Sequence, residues 1–140
     1  MFREALFAEL AANSGVAALV EGAAGFYRIH WQQVPQKIPA GAAQMPALVY
    51  EVSGVQRTVR YCGTDRRVRT AVTIDCYAVR EADSWALADA VRGALQDFRG
   101  MLGGTVDVSW AGCESELDGQ DVEPGLYRVT QSWVFWNLEA

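Results

Sequence analysis

The sequence is poor in the residues most chemistry requires. His30 is its only histidine, so any Ser-His-Asp or Cys-His scheme would have to use it. It lies between Ile29 and Trp31 in a strand-like stretch with no sequence cue for a catalytic partner, and it reads as a structural residue. One histidine with Cys62, Cys76 and Cys113 matches no zinc spacing. An odd cysteine count without a Cys-x-x-Cys pair argues against a disulfide scaffold and suits a reducing cytoplasm. The glycines of Gly100-Met101-Leu102-Gly103-Gly104 lack the Lys-Ser/Thr of a phosphate loop and follow a helical pattern where they should precede one, so they read as a turn. Glu114 and Glu116 would share a strand face, as would Asp107 and Ser109. Such pairs read as solvated faces, not acid–base dyads. The expectation is a protein with no enzymatic activity, no metal and no cofactor.

Basic charge is in deficit as well. Twelve Lys and Arg stand against seventeen Asp and Glu, a net charge of −5, which gives no global case for nucleic acid as the main ligand. No apolar run is long enough for a signal peptide or a membrane span, so a soluble cytoplasmic protein without membrane contact is expected. The 140 residues make one domain, 1–140. Folding at this size buries roughly two thirds of the unfolded surface, enough for a core without disulfides or metals.

What is present is organised around Arg66 to Gly100. Val68, Val72, Ile74, Cys76 and Ala78 alternate on one face of a strand running from Arg66 to Val79. The period then changes to that of a helix. Leu87, Val91, Leu95 and Phe98, with Ala88 and Ala94, fall within an arc of about 120°, the apolar width of a helix lying on a sheet. Gly100 is expected to close that helix in the left-handed conformation. Trp85 sits opposite the stripe, beside Asp89 and Arg92. Either a loop folds over it, or it anchors a second subunit, since buried aromatics dominate interface energetics.

Before this stretch, Phe2 to Ala12 reads as a helix, with Phe2, Leu6 and Leu10 recurring every four residues. Ser14 can cap a short helical turn through Val20. A strand from Phe26 to Gln33 ends at Pro35, and Pro35 to Pro46 reads as an irregular loop. Ala47 to Val59 and Arg66 to Val79 read as a long antiparallel hairpin turning at Gly63. Its tip carries Arg57, Arg60, Arg66, Arg67 and Arg69. Three readings of that cluster stay open: a solvated edge that resists aggregation, a contact with a subunit or partner, or contact with DNA phosphates.

After the helix, Thr105 to Trp110 alternates Val106, Val108 and Trp110 against polar residues, and Cys113 to Leu117 continues it less clearly. The last strand, Leu126 to Leu138, is apolar on both faces toward its end. The expected fold is α+β, a mostly antiparallel sheet of about five strands with two helices on one face and a projecting β-hairpin. Two helices cover only one face of such a sheet. Tyr77, Val79 and one aromatic row of the last strand then form exposed apolar surface, which usually marks an interaction site; cover by the Pro35 to Pro46 loop is the alternative.

The order of these elements resembles the tail-completion, or tail-terminator, family of long-tailed bacteriophages, which also occurs in prophages and gene transfer agents. The resemblance rests on the opening helix with Val16-Ala17-Ala18-Leu19-Val20, and on Arg28-Ile29-His30-Trp31 followed by Pro35-Gln36. It continues through Pro46-Ala47-Leu48-Val49-Tyr50 and Val72-Thr73-Ile74-Asp75-Cys76-Tyr77 leading into Glu81-Ala82. It ends with Gly125-Leu126-Tyr127-Arg128-Val129-Thr130 and Trp136. It implies a structural virion protein, assembled in the bacterial cytoplasm, that forms a homo-oligomeric ring, typically a hexamer, at the head-proximal end of the tail tube. Such a ring ends tube polymerisation and joins the tail to the head connector, and DNA passes through it without specific binding. Mapped onto this chain, the expected contacts are Trp85, Asp89 and Arg92 on the helix, the hairpin arginines, Ile38 and Met45 in the proline-bounded loop, and Trp136. The alternatives are a head-closure or other minor tail protein of the same particle, or a small α+β ligand-binding domain.

Overall fold

Strict alternation from Val68 to Ala78 builds the strand on which the rest of the chain packs, with Val72, Ile74 and Cys76 buried on one face. A computed structural model describes residues 2–20, 28–31, 46–60, 63–121 and 126–138. Its elements are α1 (Phe2–Ala12), α2 (Ser14–Val20), β1 (Ile29–Trp31), β2 (Ala47–Arg60), β3 (Gly63–Ala78), α3 (Glu81–Leu95), β4 (Gly100–Leu102), β5 (Val106–Asp121) and β6 (Leu126–Leu138). The strands form one six-stranded sheet in the order β1-β2-β3-β6-β5-β4. Every neighbouring pair is antiparallel except β1–β2, which is parallel, so the sheet is mixed.

The α+β class is as expected, but the count is three helices and six strands among the described residues. The additional strand is β4, in the glycine stretch read as a turn; the turn itself spans only Gly103 to Thr105. Gly103 has φ +56, and a Cβ there would run into the backbone of Ala5. Its N–H donates to the Glu9 carboxylate at 3.1 Å. Only glycine lets this turn and α1 approach so closely.

Helix ends also differ from the sequence reading. The cap of α2 is Asn13, not Ser14: its Oδ1 accepts from the N–H groups of Gly15 and Val16 at 3.0 and 3.1 Å, satisfying donors that have no intrahelical partner. Helix α3 stops at Leu95, and the left-handed residue after it is Asp97 (φ 58), well before Gly100. The Asp97 N–H donates instead to Ala111 of β5 at 2.9 Å. Phe98 therefore belongs to the apolar cluster without belonging to the helix.

Leu6 and Leu10 of α1, Val16 and Val20 of α2, and Leu87, Val91 and Leu95 of α3 join Leu48, Tyr50, Val72, Ile74, Val129, Trp133 and Phe135 in a single core. Full burial of each such side chain contributes roughly 1.5–3 kcal/mol. Phe2 meets Phe135 edge-on, with ring centroids 5.1 Å apart. One charged side chain is built into this frame. Arg28 donates from Nε to the Pro46 carbonyl at 2.8 Å and from Nη2 to the Leu19 carbonyl at 2.9 Å. It fastens the end of α2 to the start of β2, and burial lowers its pKa.

Candidate functional site

Pairing of β2 with β3 runs from Ala47–Tyr77 to Arg60–Gly63, with register shifts after Val52 and after Arg57. It carries the arginine cluster and divides it between faces. Arg57 stands opposite the buried Val68, whereas Arg67 and Arg69 stand opposite Leu138 and Trp136 of β6. Arg57 and Arg66 are exposed, and Arg67 and Arg69 half-buried. Arg60 is placed by its backbone pairing alone. Arg69 reaches across β6 to Glu114 of β5, Nη2 to Oε1 at 2.8 Å. A guanidinium–carboxylate pair of this kind thus flanks Trp136, which is 40% exposed.

Trp110 joins the same patch, contrary to the simple alternation of β5. A bulge between Val108 and Trp110 turns the tryptophan away from the core face that Val106 and Val108 occupy and sets it opposite Trp136. Its ring lies over Gly112, where a Cβ would collide with it, and its Nε1–H donates to Asp97 Oδ1 at 2.9 Å. A bulge has no signature in a hydrophobic pattern; the glycine two residues on was the available cue.

The uncovered face is less apolar than the sequence suggested. Its centre is polar: Thr73, Asp75, Thr130 and Ser132 share it, and the Thr130 hydroxyl donates to Asp75 at 2.6 Å. Trp133 and Phe135 are on the helix side and fully buried, and Val134 is buried on the other. What stays exposed is Trp136 near the Arg67–Leu138 end, Leu117 on β5, and Val79 after β3.

The second group, Trp85, Asp89 and Arg92, lies on α3, on the helix side of the sheet. Trp85 is half-buried and packs against the core. Arg92 pairs with Asp89 one turn earlier and places its Nε 3.3 Å from Glu116 Oε1 of β5. The other Glu116 oxygen accepts from Gln131 Nε2 at 3.1 Å. These charges therefore tie helix to sheet. The sheet separates them from Trp136, so the two groups form two surfaces and not one site. Ile38, Met45 and Cys62 lie outside the described residues.

His30 sits half-buried on β1, opposite Val49, and burial lowers its pKa. Cys76 is buried on the core face, where loss of hydration pushes its thiol pKa well above the ordinary range. No group of three or more His, Cys, Asp or Glu among the described residues could hold a metal ion, and none of the described helices is long and apolar enough to cross a membrane. A cleft of about 380 Å³ opens between Phe2, Val55, Val68 and Val106. Its two buried polar groups satisfy each other, Thr70 Oγ1 donating to Asn137 Oδ1 at 2.8 Å.

Comparison with known proteins adds two findings. The family model described as "Tail completion protein gp17" matches residues 4–136. A chain in a solved structure described as "Virion of native gene transfer agent (GTA) particle" shares the fold with a TM-score of 0.70 at 15% identity, covering 97% of this chain and 93% of that one. A sequence search of curated proteins returned no match.

Proposed function

We propose, since this chain belongs to the tail completion protein gp17 family, that it is the subunit of a ring capping the head-proximal end of a tail tube. Family membership makes it a structural protein of a phage-type tail. The finer reading is that copies of the chain, six in number, close into an annulus, stop addition of tube subunits and present a surface to the head connector. The observation that carries this reading is the family match over residues 4–136, almost the whole chain, joined by a shared fold with a virion component.

Two features support it physically. The exposed Trp136 beside Arg69, itself paired with Glu114, brings together two residue types, tryptophan and arginine, that are enriched at protein interfaces. The net charge of −5 suits a lumen through which a polyanion must pass without being held. Assembly is expected in the bacterial cytoplasm, with the tail tube protein and the head connector as the other partners.

The test is a solution mass measurement over a concentration series, followed by electron microscopy of the purified chain alone and with polymerising tube protein. Annular particles of six-subunit mass, and tubes that stop growing once the chain is added, are expected. A chain that stays monomeric throughout and leaves tube length unchanged would remove the ring reading.

A further inference from the structure

Resting on the ring reading, we infer that neighbouring copies join by adding strand to strand: the Glu51–Arg60 edge of β2 in one copy pairs antiparallel with the Glu114–Asp121 edge of β5 in the next. Among the described residues the sheet is left open at both sides, and at different heights. β1 covers β2 only at Leu48 to Tyr50, and β4 covers β5 only at Val106 to Val108. The turn after α3 occupies β5 a little further, through Ala111 and Cys113. Beyond those points, among the described residues, each strand pairs on one side only. Glu51, Ser53, Val55, Gln56 and Arg57 are exposed along one edge, and Glu114, Ser115, Leu117 and Asp118 along the other. Long exposed edges present unpaired N–H and C=O groups and template pairing with another chain.

Charge says which chain fits. Between Glu51 and Arg60 the sequence holds two arginines and one glutamate, a net +1; between Glu114 and Asp121 it holds four acids and no base, a net −4. The two edges thus carry opposite net charge, and the acidic β5 edge repels a copy of itself. That favours a head-to-tail contact, the kind that closes into a ring, over a two-fold one.

Geometry agrees. Val55 lies level with Thr70, Phe135 and Ala111, while Asp118 lies level with Val129. Bringing the two open stretches side by side needs an offset of about six residues, roughly 20 Å along the strands. The repeat across β2, β3, β6 and β5 spans about four strand spacings, ~19 Å. The resulting tilt is about 45°, at the top of the roughly 35–45° range of closed sheets. The offset also carries β1 and β4 clear of the paired stretch. β2 and β5 run in opposite directions within a copy, so the contact continues the antiparallel pattern.

Two sets of variants test this. Arg57→Glu and Asp118→Arg each place like charges across the proposed contact, and both residues are exposed. Each variant alone should raise the concentration for half-assembly by at least about tenfold, with an unchanged circular dichroism spectrum. An equimolar mixture of the two should assemble again, because each variant's altered edge then meets its complement. Separately, the double variant Gln56→Cys/Leu117→Cys should give a ladder of disulfide-linked multimers on oxidation, absent from the native chain and from either single variant. Rings that form undiminished in both charge variants, or variants that stay apart when mixed and a double-cysteine chain that gives no ladder, would overturn the edge contact while leaving the ring standing. A native chain that never assembles would overturn both.

Discussion

Gln131 offers the most direct test of how the helix layer is fixed to the sheet. It is fully buried in the middle of β6, and all its polar atoms are used. Nε2 donates to the Ala88 carbonyl of α3 and to Glu116 of β5, each at 3.1 Å, and Oε1 accepts the indole N–H of Trp133 at 3.0 Å. Gln131→Leu keeps the volume and removes every one of these bonds. The Ala88 carbonyl retains its helical bond and Glu116 retains Arg92, so the main loss is the Trp133 N–H, 1% exposed and left without an acceptor. An unpaired buried donor costs about 1–3 kcal/mol, partly offset by the apolar gain of leucine. A net loss of about 2 kcal/mol is expected, a fall in Tm of roughly 4–8 °C for a domain of this size. Urea unfolding of Gln131→Leu, Trp133→Phe and the double variant isolates the cause. In the phenylalanine background no donor remains to be stranded, so Gln131→Leu should then cost under about 1 kcal/mol, a coupling of at least ~1 kcal/mol. Equal costs in the two backgrounds would refute the argument.

Arg28→Met should destabilise by about 2–4 kcal/mol, because the Leu19 and Pro46 carbonyls both lose their charged donor; Arg28→Lys, able to reach one of them, should fall between, as read by chemical denaturation. Leu95→Ala should cost about 2–5 kcal/mol through the cavity left beneath α3, and a melting curve that does not move would contradict its place in the core. For His30, whose pKa burial holds below the usual 6.5, the folded state binds fewer protons than the unfolded one. Its contribution is therefore complete above pH 6.5 and is lost as pH falls through the lowered value. The urea midpoint should drop over that window, and His30→Gln should flatten the drop. Trp85→Ala should weaken assembly but also lower Tm, since the half-buried ring packs on the core; an unchanged oligomer by light scattering would remove Trp85 from the interface.

The period of apolar residues carried most of the fold. The strand from Val68 to Ala78, the stripe of Leu87, Val91 and Leu95, the bounds of α1 and the last strand are all where alternation and helical spacing put them, because each of these segments buries one face against a common core. What periodicity left out was decided by single contacts. Asn13 outcompetes Ser14 as a cap because its side chain reaches two N–H groups. Asp97 ends α3 early because its backbone finds a carbonyl on β5. β4 forms from three residues with little strand character because β5 offers them a ladder. The short β1 is parallel to β2, a pairing that no local pattern encodes.

The arrangement of the candidate surface residues was not legible in the sequence, and this has one physical source. A one-residue bulge exchanges the faces of everything beyond it, and β5 has two, after Val108 and after Cys113. The first turns Trp110 toward Trp136; the second returns Glu116 to the helix side, where it meets Gln131 and Arg92. Counting exposed aromatics from the sequence therefore overestimates the apolar surplus, since Trp133 and Phe135 are consumed by the core and Trp85 is shared with it. The remaining exposed surface is better described as two oppositely charged strand edges and one aromatic patch. For the ring proposed above, this division has a physical advantage. Charged edges resist indiscriminate pairing, and in the proposed contact each would accept the one edge whose charge and height are complementary.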